Sequence, residues 1–322
     1  MTERKDSIQN VGIIGAGGYV GARFVNILRG HPTVQGIGIV RSAKALARLS
    51  NAPMEVRVVN TSKTSELAQA LADCETVVNA TLGDLSRILP ETQTAYEAAR
   101  QSGCKLFIHV SSAVVFGRAE SPELDDDSPP DLSNWNLYAR SKGEAEVFLR
   151  GALKDTAMRI VVLRPGLIWG PGTRWARNVA DQLLHGSVCL SNAGQGIANL
   201  VYVDNLVNMI LAVHNHPNGP SGFYNVGDSG TVTWSQFYTA LASGLGYPST
   251  AIQTWPDARL AFSPMLVVEW CLQRKSLYRE AKWLLSRLGG STRVLAKRAL
   301  QGERLPPDLL TTVRKSPPRL TR

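Results

Sequence analysis

Tyr138 and Lys142 are the residues of this chain best suited to chemistry, because a spacing of four puts both side chains on one face of a helix. A phenol titrates at about pH 10 and is a poor base near neutrality, but a fixed ammonium beside it stabilises the phenolate and lets it pass a proton. Alone the pair decides nothing, since Tyr and Lys four apart occur on many exposed helices. It gains weight from what lies upstream. A predicted strand over 105–110 delivers Ser111-Ser112-Ala113, which puts a hydroxyl at a strand end, and a glycine cluster lies near the start of the chain.

That cluster follows the apolar run Val11-Gly12-Ile13-Ile14 and reads Gly15-Ala16-Gly17-Gly18-Tyr19-Val20-Gly21. A short strand, a tight turn and a helix start are what a dinucleotide pyrophosphate requires, because the turn lets backbone N–H groups and a helix N-terminus face negative charge. An ordinary glycine-rich turn would show the same triplet, so the elements that follow must decide. A helix is predicted over 22–29 and a strand over 34–40 that ends in Val40-Arg41-Ser42. NAD-selective sites carry an acidic residue there; a cation and a hydroxyl suit a 2′-phosphate, so NADP(H) is favoured over NAD(H). Strands over 55–59 and 76–78 end in Asn60-Thr61 and Asn79-Ala80-Thr81, and helices over 65–71 and 91–102 continue the alternation. The pattern is that of an α/β doubly wound parallel sheet, in which polar residues at strand ends line the ligand edge.

Composition agrees with an enzyme-sized core: 322 residues, 44% hydrophobic. No run of about 18 apolar residues is present, and the first ten residues mix both charges, so a cytoplasmic location is expected. Cys74, Cys104, Cys189 and Cys271 lie far apart without metal-ligand spacing, which predicts reduced thiols and no metal. His214 and His216 precede Pro217 near a predicted helix end, where capping is expected. Charge is unevenly placed. Residues 251–322 hold 14 Lys and Arg against 5 Asp and Glu, the entire +9, whereas residues 1–250 hold 21 of each. Within that tail, Trp270, Leu277, Ala281, Leu284 and Leu288 form a stripe with Lys275, Arg279 and Lys282 largely opposite, and Arg293, Lys297 and Arg298 follow. Packing against the protein is the first reading of this stripe, peripheral contact with an anionic membrane the second. Nucleic acid is not expected, because no stacking aromatics interleave with the basic residues.

Taken together, these motifs resemble those of an extended short-chain dehydrogenase/reductase of the NAD-dependent epimerase/dehydratase family, over roughly residues 8–245. Gly15, Gly18 and Gly21 match the family's glycine motif with Tyr19 and Val20 inside it. Asn79-Ala80-Thr81 matches its cofactor turn, Ser112 its serine, and Tyr138 with Lys142 its Y-x-x-x-K pair. The segment 159–169, with Leu163-Arg164-Pro165-Gly166, resembles the strand whose end meets the nicotinamide, which adds Pro165 and Leu167 to the cofactor set. The Gly170-Pro171-Gly172 and Tyr202-Val203-Asp204-Asn205 segments resemble later landmarks on the substrate side.

The resemblance implies that Tyr138 exchanges a proton with a substrate oxygen, Ser112 hydrogen-bonds that oxygen, and Lys142 binds the nicotinamide ribose and depresses the Tyr138 pKa. It further implies a substrate site with Ala113, Arg174, Arg177, Asn178 and Asn199. Family dehydratases carry an acid directly after the serine; Ala113 stands there, so elimination is disfavoured. The expected substrate is a nucleotide sugar, handled by an epimerase or dehydrogenase. An apolar carbonyl or sterol-like compound, loosely in the manner of the 3β-hydroxysteroid dehydrogenase branch, comes second, and a non-catalytic NADP-binding sensor or scaffold third. The expected organisation is a dinucleotide-binding domain over 1–170, a substrate region over 171–255 partly interleaved with the sheet, and a helical basic extension over 256–322. A homodimer is among the expected states.

Overall fold

The computed structural model describes residues 8–49, 55–117, 124–134, 136–154, 157–186, 188–247 and 252–255. The chain divides into two units, Met1–Arg259 and Leu260–Arg322. All described residues belong to the first, so the expected basic helix and its membrane reading lie outside them.

The first half of the chain alternates strand and helix: β1 (Gln9–Ile14), α1 (Tyr19–Leu28), β2 (Val34–Val40), β3 (Glu55–Val58), α2 (Thr64–Ala70), β4 (Thr76–Asn79), α3 (Ile88–Gln101), β5 (Leu106–Val110), α4 (Leu137–Ala152) and β6 (Arg159–Pro165). Shorter elements follow: β7 (Leu167–Trp169), α5 (Arg174–Leu184), β8 (Cys189–Ser191), β9 (Leu200–Tyr202), α6 (Val203–Asn215), β10 (Gly222–Val226), α7 (Trp234–Gly244) and β11 (Gln253–Trp255). Seven strands form one sheet in the order β10-β6-β5-β4-β1-β2-β3, and every pairing in it is parallel.

Strand periodicity builds the two apolar layers. Val11, Ile13, Ile108, Val161 and Leu163 pack with Phe24 and Val25 of α1 and Leu206 and Ile210 of α6. Ile14, Ile37, Phe107, Ile160 and Val162 pack with Leu67 of α2, Ala95 and Ala99 of α3 and Leu149 of α4. Successive residues of β6 thus enter opposite layers, as a period of two demands. The strand order reverses between β1 and β4, and that switch opens the crevice at the carboxyl edge in which such sheets bind ligands.

Two boundaries differ from the sequence reading. The helix after the glycine turn begins at Tyr19, three residues before the expected start. The strand expected over 159–169 ends at Pro165, because Gly166 is pressed against Asn199, whose Oδ1 would lie 2.6 Å from an added Cβ. Residues Leu167–Trp169 then leave the main sheet and pair in parallel with β9.

Candidate active site

The glycine turn is closed by Gly18 N–H donating to Gly15 O at 2.8 Å. Gly15 adopts φ +88°, and a Cβ on it would meet Ala80 O at 2.9 Å, while a Cβ on Gly21 would overlap Gly15 O. The backbone is therefore folded too tightly for side chains, which is the cradle a pyrophosphate needs. No side chain caps α1 at Gly18, so its N-terminus is left to face a ligand. A cavity of about 550 Å³ lies here, walled by Gly15, Gly18, Tyr19, Val20, Arg41, Ser42, Thr61, Ala80, Thr81 and Glu91, with Ile168 at one end. Burial pushes the Tyr19 phenol up to about 12, and its hydroxyl is buried without a hydrogen-bond partner. That hydroxyl lies against Gly170, away from the cavity, so it is the glycine cradle that fits a dinucleotide.

Gly21, Asn60 and Asn79 do not line that cavity. Gly21 shapes it by close packing, and Asn60 is exposed beside it, its Oδ1 accepting from Ser62 N–H at 3.1 Å. Asn79 is buried; its Oδ1 accepts from the Thr81 N–H at 3.2 Å and hydroxyl at 2.7 Å, which holds the turn that presents Ala80 and Thr81. Arg41 lies in an ion pair with Glu91, Nη1 to Oε1 at 2.9 Å.

Tyr138 and Lys142 are set by the cap of α4. Asn136 Oδ1 accepts from Tyr138 N–H at 2.9 Å and Ala139 N–H at 3.4 Å, fixing the first turn and the phenol in it. Gly143 brings α4 against the preceding loop, where a Cβ would meet Leu132 and Pro130 at 3.0 and 3.1 Å. Burial raises the Tyr138 pKa, and the neighbouring Ser112 hydroxyl opposes that rise. Ser112 is held in turn, its Oγ accepting from Val114 N–H at 3.4 Å. The sequence reading expects Lys142 to lower the phenol's pKa. In the structure the Lys142 ammonium is buried and donates to Val110 O at 2.8 Å; burial brings its pKa down to about 8, and the Glu146 carboxylate one turn on opposes that fall.

Two residues at this site were given no role from sequence. Arg164 and Glu146 are both fully buried and paired, Nη2 to Oε2 at 2.8 Å. Glu146 also accepts from the Ser111 hydroxyl at 2.5 Å, while Arg164 donates to Asp126 O at 3.0 Å and Ser128 O at 3.1 Å and stacks on Phe116 and Phe223. The pair thereby ties α4, β6, the residue before Ser112 and the acidic loop into one unit. An arginine inside the apolar run of β6 is the signal that could have found it, since such a charge is buried only when paired.

Ser112 and Tyr138 open onto a second cavity of about 800 Å³. Its wall includes Ala113, Val114, Phe116, Leu124, Pro165, Leu167, Ile197, Asn199, Val226 and Trp234, and Ile168 lines both cavities. The structure thus brings Ala113, Asn199, Pro165 and Leu167 to the phenol. It does not bring Arg174, Arg177 and Asn178, which are exposed on α5 because that helix turns Val179 and Leu183 inward. Arg164 is the one cation in the described wall, and it is neutralised by Glu146; no carboxylate lines it among the described residues. His216 Nδ1 bonds Ala212 O at 2.7 Å in a helix-end contact as expected, but His214 is buried against Thr76, Oγ1 to Nδ1 at 2.9 Å, so it joins α6 to the sheet and is not a cap.

The model of the NAD dependent epimerase/dehydratase family matches residues 11–227. Over 157 residues the chain is 29% identical to a UDP-glucose 4-epimerase of Vibrio cholerae, covering 47% of each. Over 159 residues it is 31% identical to a 3-diazoavenalumate denitrifying reductase of a Streptomyces species, covering 47% of this chain and 50% of that one. The matches span about half the length of these relatives. A solved dTDP-glucose 4,6-dehydratase of Streptomyces venezuelae, with NAD and TYD bound, aligns with a TM-score of 0.63 at 21% identity, covering 78% of this chain and 85% of that one. That likeness is one of fold.

Proposed function

Because this chain belongs to the NAD-dependent epimerase/dehydratase family, we propose that it uses NAD(P) to move a hydride to or from a carbon bearing a hydroxyl or carbonyl. The observation that carries this reading is that Ser112 and Tyr138 line one cavity and that Ile168 belongs both to its wall and to that of the glycine cradle. Tyr138 exchanges the proton with the substrate oxygen and Ser112 hydrogen-bonds the same oxygen. Lys142 holds the nicotinamide ribose. For the phenol to act near neutrality the upward push of burial must be offset, and Lys142 and the positive nicotinamide ring are the charges able to do it. Gly15, Gly18 and Gly21 cradle the pyrophosphate, and Arg41 with Ser42 favours NADP(H) through the 2′-phosphate.

Elimination of water needs an acid for the leaving hydroxyl. Ala113 stands beside Ser112 and the described wall holds no carboxylate, which supports epimerase or reductase chemistry over dehydration. The curated epimerase relative favours a nucleotide sugar as substrate. The wall itself favours the second reading, an uncharged apolar carbonyl compound, because a diphosphate calls for cations and Arg164 is already neutralised. A panel of UDP-sugars and apolar ketones, followed by NADPH oxidation and by epimer analysis, separates the two. Turnover of ketones with UDP-sugars inert supports the apolar reading; UDP-sugar turnover with ketones inert overturns it.

A further inference from the structure

Arg41 is not alone at the end of β2. Its Nη1 donates to Glu91 Oε1, and the same oxygen lies 3.2 Å from Nε of Arg87, whose Nη2 reaches Ser62 Oγ at 2.6 Å. Glu91, in the first turn of α3, is only 8% exposed, whereas Arg41 is half-exposed, and both line the cavity of the glycine cradle. A carboxylate held between two guanidinium groups occupies the kind of place a phosphate would seek.

We infer that Glu91 is a specificity-determining residue, one that occupies and partly neutralises Arg41 and so limits the preference for NADP(H) over NAD(H). The inference rests on the proposal that Arg41 reads the adenosine 2′-phosphate. Two arginines and one glutamate leave a single net positive charge where two would otherwise stand, so a phosphate monoester gains less than Arg41 and Arg87 together could provide. It must also share a guanidinium with a like-charged neighbour. NADH brings no 2′-phosphate and is indifferent to the balance. Arg87 acts in the opposite sense, by drawing the carboxylate away from Arg41.

The test is a set of fluorescence titrations with NADPH and NADH on the full-length wild type, Glu91→Gln, Arg87→Gln, Arg41→Ala and the Arg41→Ala/Glu91→Gln double variant, with thermal unfolding as a control for folding. The amide of Glu91→Gln keeps an acceptor for both arginines and removes the charge. It should raise the NADPH-to-NADH affinity ratio by roughly three- to tenfold, as removal of one partly screened charge implies. Arg87→Gln should lower the ratio, and in the Arg41→Ala background the gain from Glu91→Gln should vanish. An unchanged or lowered ratio in Glu91→Gln, with Arg41→Ala still costing NADPH affinity, overturns the role of Glu91 alone. A ratio indifferent to Arg41→Ala overturns the reading of Arg41 on which it rests.

Discussion

Tyr138→Phe is expected to lower turnover by roughly 100-fold or more while leaving NAD(P)H affinity within about twofold of wild type. Tyr138 lines the cavity together with Ser112, and the substitution removes only the phenol oxygen. The ring and the Asn136 cap that sets the first turn of α4 remain, so the helix has no reason to move. Steady-state rates on whichever substrate the panel identifies, with parallel cofactor titration, check it. Near-normal turnover of the Phe variant would mean that the proton moves by another route.

The second large effect is one of stability. Arg164→Met leaves Glu146 fully buried with the Ser111 hydroxyl as its remaining hydrogen-bond donor and the Lys142 ammonium one turn away as its remaining counter-charge, and removing the guanidinium from a buried pair costs about 3–5 kcal/mol. The cost should fall on the active site as well, because Arg164 also holds the loop carbonyls of Asp126 and Ser128. Adding Glu146→Gln to Arg164→Met should recover part of the loss by removing the unpaired charge. Urea unfolding of the wild type, Arg164→Met and the double variant measures this. A loss under about 1 kcal/mol in Arg164→Met would show that the pair is not what joins α4 to β6.

What was legible in the sequence was local. The glycine turn, the strand Val34–Val40 and the shared face of Tyr138 and Lys142 follow from spacing and periodicity within a few residues, and chain order then implies a parallel sheet. What escaped depends on partners distant in sequence. Glu91 reaches Arg41 across 50 residues, and His214 reaches Thr76 across 138, distances over which periodicity carries no information. The end of β6 at Pro165 is set by the approach of Asn199 to Gly166, a contact between segments that read as unrelated. Arg174, Arg177 and Asn178 match a substrate site by residue type alone; the apolar positions Val179 and Leu183 decide which face of α5 turns inward, and it is not theirs.

The claim on which everything rests is that the glycine turn holds a dinucleotide. Calorimetric titration of NADPH and NADH into the full-length protein tests it directly, with Gly21→Val as the control, since any side chain at 21 runs into Gly15 O. Saturable binding near one cofactor per chain is expected for the wild type, and its loss in a Gly21→Val variant that stays folded. A folded wild type that binds neither cofactor, or a Gly21→Val variant that binds as well as the wild type, would contradict it.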